Sequence, residues 1–328
     1  MTWRMLAVPL LGLCACQSSA QLPAHTAPSA DPDIGPPIEL PTAPMAEPLP
    51  PPDEVRAGAA GSAHGTAPAQ PAAAAVLDQL LQVGGVSLHL HCVGSGAPTV
   101  ILEAGNEQPG SDWRSVQRQL GQLTRTCAYD RAGTGYSSDA PPGRSADAVV
   151  EDLHGLLEAA GIGPPYVLVG HSLGGLHVRR YARRYREQVI GMVLVEATPA
   201  EATPVADPKK PAEHDKNFAA RLAELRRARG SLGELPLVVL SRGAPHELPG
   251  VAPVLSARFE QEWSQLQGEL TWLSKNSVQS VADKSGHFLH WDAPELVLAG
   301  VQVVVQAARS SSPLDLAAAL RAAKSATR

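Results

Sequence analysis

Tyr166-Val167-Leu168-Val169-Gly170-His171-Ser172-Leu173-Gly174-Gly175 decides how this chain is read. Four residues suited to a buried strand run straight into Gly170-x-Ser172-x-Gly174, the pattern of a serine at the tip of a sharp strand-to-helix turn. Glycines flank the serine because Cβ atoms there would collide with the neighbouring strand and helix. The serine itself is held under backbone strain. Such a turn pushes the hydroxyl into the open and aims a helix N-terminus at it, so the Leu173 N–H is placed to stabilise a developing oxyanion. A glycine-rich βα turn without chemistry also fits these five positions. The context favours chemistry: a strand before, Gly175 and a helical run from Leu176 to Tyr185 after, and a distant histidine in Ser285-Gly286-His287.

With those residues in view the chain resembles the α/β-hydrolase family of serine esterases and lipases, from about Leu88 to about Gln306. The resemblance implies an α/β fold: a mostly parallel central sheet, helices on both faces and a small lid. It also implies a triad in the order Ser…acid…His, with Ser172 as nucleophile and His287 as base. A serine hydroxyl is a poor nucleophile at neutral pH, so a histidine must take its proton, and a carboxylate must orient the imidazolium that forms. The His287 loop alone matches the family; the other histidines of the domain, His171 and His290 among them, are read as packing or surface residues. A serine at this position excludes the dehalogenase and epoxide-hydrolase branches, which use a carboxylate there.

The acid has two candidates. The usual family position follows the strand Leu237 to Leu240, but that loop reads Ser241-Arg242-Gly243-Ala244-Pro245-His246-Glu247 and offers only Glu247, rather far along. The loop after Val189 to Val195 offers Glu196, where relatives sharing this histidine loop commonly have an aspartate. Glu196 is the first choice and Glu247 the alternative. Asp283 and Asp292 lie too near His287 in sequence, and Asp292 is read as a cap of the final helix.

The other elements follow in order. Val86 to Cys92 alternates as a strand, with ordered structure expected from about Val83, and Thr99 to Leu102 is a buried strand. Glu103-Ala104-Gly105-Asn106 stands where the family carries His-Gly-x, which by resemblance places the second oxyanion N–H on Asn106. Trp113 is a packing aromatic before a helix from Ser115 to Leu123. Arg125 to Tyr129 is a strand, and Asp130-Arg131-Ala132-Gly133-Thr134-Gly135-Tyr136-Ser137 resembles a family turn that is read as architecture. Val149, Leu153, Leu156, Leu157 and Ala160 mark one face of a helix ending at Gly161. The arginines from Arg179 to Arg186 are read as a solvated helix face. Phe218 to Arg229 is an amphipathic helix at the family's lid position, Arg258 to Leu273 is a helix, and Val278 to Ala282 is the last strand. By the family's strand order Cys92 and Cys127 lie on neighbouring strands. Export favours a disulfide between them, while relatives inside the cell keep such cysteines reduced; both outcomes stay open.

The chain's 328 residues carry a formal net charge of −5, which gives no support to nucleic-acid binding. Residues 1–16 read as a lipoprotein-type signal peptide. Arg4 supplies the positive end, and Met5 to Leu13 is an apolar core shorter than the roughly 20 residues a membrane span needs. Leu13-Cys14-Ala15-Cys16 resembles a lipobox in which Cys16 is acylated; Cys14 fits worse, and an ordinary signal cleaved near Ala20 is the alternative. Residues 17–75 form a Pro/Ala-rich linker, holding thirteen of the thirty prolines and no Phe, Trp or Tyr. Such a segment is expected to stay disordered and, where Pro-rich, extended. The hydrolase domain is expected over 76–310 and a tail over 311–328.

The expected activity is therefore hydrolysis of a small-molecule carboxylic ester, by a protein exported to the cell envelope and tethered to its membrane through an N-terminal lipid. No cofactor is expected, and no metal-ligand spacing such as H-E-x-x-H occurs. An acyltransferase on the same machinery and a non-catalytic binding module are the rival readings.

Overall fold

The computed structural model describes residues 76–200, 211–245, 253–310 and 312–315. The strands are β1 (Val76–Val83), β2 (Val86–Val93), β3 (Thr99–Glu103), β4 (Thr126–Tyr129), β5 (Tyr166–His171), β6 (Val189–Val195), β7 (Leu237–Arg242) and β8 (Ser277–Ala282). They form one eight-stranded sheet in the order β1-β2-β4-β3-β5-β6-β7-β8. The first two pairings, β1 with β2 and β2 with β4, are antiparallel and every later one is parallel.

The helices are α1 (Arg114–Leu120), α2 (Ala146–Ala159), α3 (Leu173–Arg184), α4 (Pro211–Arg227), α5 (Pro253–Glu269), α6 (Leu289–Asp292) and α7 (Pro294–Ser310). Every residue of β3 and β5 is buried, because helices cover both faces of the parallel strands. One core joins alternate strand residues to α2, α3 and α5 through Leu156, Tyr181 and Leu266. The other joins the opposite strand faces to α1 and α7 through Trp113, Val116 and Val301. The C-terminal ends of β3, β5 and β6 therefore open on one rim, the place where this class of sheet holds its ligands.

β1, α3 and α4 depart from the sequence reading, and α5 likewise begins earlier than the Arg258 to Leu273 helix expected, at Pro253. The chain forms an additional strand, β1, before the one at Val86, joined to it through Gly84 and Gly85 at φ 53° and 90°. Two positive-φ residues make the tight turn that matches strand twist. As an edge strand with mostly exposed or half-buried residues, β1 lacks the alternation that reveals a strand in sequence. α4 begins earlier than the apolar pattern suggested, at Pro211, a residue suited to a first helical turn. The arginines of α3 are not simply solvated: Arg180 pairs with Asp147 at 2.6 Å and Arg184 with Glu151 at 2.9 Å, tying α3 to α2.

Candidate active site

Ser172 stands between β5 and α3 at φ 50° and ψ −121°. This conformation costs a non-glycine residue about 1–3 kcal/mol and survives only where the surroundings fix it. They do so here: the Ser172 N–H donates to the Val195 carbonyl at 3.1 Å, and its carbonyl accepts from Gly175 and Thr198 at 3.0 and 2.9 Å. A Cβ on Gly170 would lie 2.6 Å from the Gly174 carbonyl oxygen, and one on Gly174 would lie 2.5 Å from the carbonyl oxygens of both Glu103 and Ala104. Gly175 approaches Ala197 as closely, so all three glycines are required by packing. Serine at a helix start normally caps it. Ser172 makes no such bond, so its hydroxyl is not consumed by the backbone.

Glu196 follows β6 directly, at φ 47°, and is fully buried. Its N–H continues the ladder to the Leu240 carbonyl at 2.7 Å. One step further the β6 backbone has turned away, and the side chain takes over: Glu196 Oε2 accepts the Arg242 N–H at 2.9 Å. Oε1 accepts from the Arg242 guanidinium and, at 2.6 Å, from Trp263 Nε1. The same oxygen lies 3.8 Å from His287 Nδ1, an ion-pair separation rather than a hydrogen bond. Burial pushes the Glu196 carboxyl up, but His287, the charge and N–H of Arg242, and the Trp263 N–H together outweigh it and hold the carboxyl below its ordinary range.

His287 is half-buried on the loop after β8, braced by Asp292, which accepts the Gly286 N–H at 2.9 Å. Asp292 thus ties down the histidine loop instead of capping the final helix. The His287 carbonyl accepts from His171 Nε2 at 2.9 Å, which brings the histidine loop against the residue next to Ser172. Among the described hydrogen bonds, none joins Ser172 to His287 directly.

The loop after β3 lies across the nucleophile turn. Leu173, the first residue of α3, and Asn106 are the two oxyanion candidates, and Asn106 is exposed at the rim. Beneath them Glu103 is wholly buried among Tyr129, Arg131 and His177. Burial alone would raise the Glu103 carboxyl; the His177 hydrogen bond and the Arg131 charge reverse this and lower it.

His171 connects both loops, with Nδ1 2.9 Å from Gln108 Oε1 and Nε2 on the His287 carbonyl. It packs against Trp113 and His290, and burial with the nearby His290 and His287 pushes its pKa down to about 3. His290 is also buried, its ring 4.7 Å from that of Trp113 and tilted by 35°, with neither ring nitrogen partnered. Burial, with His287 second, lowers it to about 4.

The family profile described as alpha/beta hydrolase fold matches residues 98–300. The Bacillus subtilis (strain 168) protein YqjL is 31% identical over 253 residues, which span 73% of this chain and 96% of that one. The chain belongs to the α/β-hydrolase family. An esterase from Exiguobacterium antarcticum superposes with a TM-score of 0.53 at 15% identity, over 70% of this chain and 100% of its own. A thermophilic esterase from Thermogutta terrifontis gives 0.52 at 17% identity, over 71% and 99%. At these identities the likeness is one of fold.

In this α/β-hydrolase, Ser172, Glu196, His287 and Asn106, with Leu173 at the start of α3, all lie at the rim where β3, β5 and β6 end. Glu247, the alternative acid, and Cys16 lie outside the described residues. Cys92 and Cys127 face each other across β2 and β4, with sulfurs 2.10 Å apart and Cα atoms 4.0 Å apart. Trp113 is buried as a packing aromatic. Among the described residues, no group of three His, Cys, Asp or Glu side chains is placed to hold a metal ion. Sequence reasoning missed Arg242 and Trp263 as partners of Glu196, and Arg131 as the partner of Glu103. A charged residue closing an apolar strand was the available signal in each case, since a buried charge demands a partner.

Proposed function

We propose that the protein is a serine hydrolase that cleaves a small-molecule carboxylic ester through an acyl-enzyme. Ser172 acts as nucleophile, His287 as general base and then acid, and Glu196 as the carboxylate that orients His287. The single observation that carries the reading is the convergence of a strained, uncapped Ser172, the buried Glu196 and His287 at one rim, with Glu196 Oε1 3.8 Å from His287 Nδ1.

Because Nδ1 faces Glu196, the other ring nitrogen serves the serine. Ser172 Oγ attacks the ester carbonyl carbon while its proton passes to His287. The carbonyl oxygen becomes an oxyanion held by the N–H groups of Leu173 and Asn106. Collapse breaks the C–O bond to the alcohol, which leaves with the proton from His287. Water then attacks the acyl-enzyme, giving its proton to His287, and the carboxylic acid departs as Ser172 recovers its proton. Catalytic hydrogen bonds are often long in an unliganded site and shorten with substrate bound, which the 3.8 Å separation allows. Ser172→Ala is the test on activity: kcat on an activated ester falls by at least about 10³-fold with an unchanged melting temperature. More than a tenth of wild-type kcat remaining would refute the assignment.

The proposal extends to location. Arg4, the apolar run Met5 to Leu13 and Ala15 before Cys16 support export and acylation at Cys16, tethering the enzyme to a membrane on the periplasmic or surface side. Cys16→Ser is expected to release the protein or leave its precursor uncleaved, while Cys14→Ser changes little. Unchanged membrane partitioning of the Cys16 variant would end the proposal.

A further inference from the structure

The turn that begins Asp130-Arg131 puts one side chain directly beneath the oxyanion loop. The Arg131 guanidinium is buried and spans three acceptors on consecutive residues. Nη1 donates to Glu103 Oε1 and to the Ala104 carbonyl, both at 2.7 Å, and Nη2 donates to the Gly105 carbonyl. Glu103 is in turn held by the Tyr129 hydroxyl on Oε2 at 2.5 Å and lies 3.2 Å from His177 Nδ1 through Oε1. An ion pair alone would need only the carboxylate. Taking two successive carbonyls with one rigid fork fixes two peptide planes as well.

The Gly105 carbonyl and the Asn106 N–H belong to one peptide unit. Among the described residues the cis bonds are Ala97–Pro98 and Pro164–Pro165, so this unit is trans and its C=O and N–H point in opposite directions. A carbonyl turned inward onto buried Arg131 turns the Asn106 N–H outward, to the rim where Asn106 is exposed. A cationic donor on the carbonyl oxygen also polarises the amide and makes its N–H a stronger donor. The plane is held from the other side too. The Gly105 carbonyl accepts the Gln108 N–H at 3.2 Å, and a Cβ on Gly105 would lie 2.2 Å from Gln108 Oε1 and 2.9 Å from His171 Nδ1.

We infer that Arg131, anchored by Glu103, is a positioning residue of the reaction: it orients and polarises the Gly105–Asn106 peptide whose N–H receives the oxyanion. The inference rests on the ester-hydrolase reading above.

The test compares Arg131→Met and Arg131→Lys with wild type in the full chain, with rates normalised to active sites titrated to completion by a fluorophosphonate. The readouts are kcat and KM on a p-nitrophenyl ester, the inhibition constant of a trifluoromethyl ketone, which forms an oxyanion adduct with a serine, and the melting temperature. Arg131→Met is expected to lower kcat by about 10²-fold with KM within about threefold, and to weaken the ketone by the same factor as kcat. Arg131→Lys keeps the charge beside Glu103 but lacks the fork, so it restores the fold and part of the rate. Should Arg131→Met fail to fold, a drop of about tenfold in kcat for folded Arg131→Lys, matched by the ketone, carries the inference. Folded variants with kcat and ketone affinity within about threefold of wild type, their change confined to melting temperature, overturn it. Wild-type protein that neither hydrolyses the ester nor takes the fluorophosphonate overturns the ester-hydrolase reading, and this inference with it.

Discussion

Arg242 grips both oxygens of Glu196: its backbone N–H donates to Oε2 at 2.9 Å and its guanidinium to Oε1. The same guanidinium reaches Glu260 on α5 at 2.7 and 2.9 Å and lies over the Trp263 ring, so it locks α5 to the end of β7. Arg242 closes β7, and Glu196, the proposed acid, stands one strand away, after β6.

Arg242→Met strands a fully buried carboxylate without its cation. Breaking a buried pair from one side costs about 3–5 kcal/mol. Denaturant unfolding is expected to show a loss of that size, together with lower activity, while Arg258→Met, a surface pair with Glu262, loses less than about 1 kcal/mol. Similar losses for both variants would contradict the clamp.

Glu196→Gln keeps the shape of the side chain and removes the charge opposite His287. Loss of a triad carboxylate is expected to cut kcat by about 10²- to 10⁴-fold. Glu247→Gln should stay within about twofold of wild type. The reverse pattern, read from steady-state ester hydrolysis, would move the acid to the loop after β7.

His171 and His290 are held neutral, at about 3 and about 4, against an ordinary value of 6.5. The unfolded chain binds their protons first as pH falls. Each therefore destabilises the fold from about pH 6.5 down to its own lowered pKa, with a slope of about 1.4 kcal/mol per pH unit. His290→Phe removes one such group and an imidazole with two unpartnered nitrogens, and keeps an aromatic ring against Trp113. Stability measured between pH 6.5 and 4 is expected to fall less steeply in this variant by about one group's slope. Identical slopes would show that His290 is not the titrating group.

Much of this was legible beforehand because the parallel strands are buried on both faces. Val100 to Leu102, Val189 to Val195 and Leu237 to Leu240 are uninterrupted apolar runs, and the glycines around Ser172 are required by close packing. β1 was not legible, since an edge strand facing solvent carries no alternation. Ser172, Glu196 and His287, the proposed triad, were chosen from the short motifs around them. Their supports could not be read that way: Arg242 on Glu196, Arg131 on Glu103 and His171 between two loops are pairings across 46, 28 and 116 residues of chain, set by sheet order rather than by local pattern. Asp292 was misread because a carboxylate near a helix start suits a cap as well as the Gly286 N–H.

Cys92 and Cys127 pair directly across antiparallel strands, closing a separation of 35 residues. In protein made under oxidising conditions, non-reduced peptide mapping is expected to find the two joined, and the Cys92→Ser/Cys127→Ser double variant to lose about 2–4 kcal/mol. Two free thiols in that protein would reject the bridge.

The central claim is that Ser172 is an activated nucleophile. Intact-mass spectrometry after treatment with a fluorophosphonate reads this directly. A single adduct is expected on the wild-type protein, mapped to the peptide containing Ser172, with none on Ser172→Ala and much slower labelling of His287→Ala. A wild-type protein that stays unmodified, or an adduct that persists on Ser172→Ala, would contradict it.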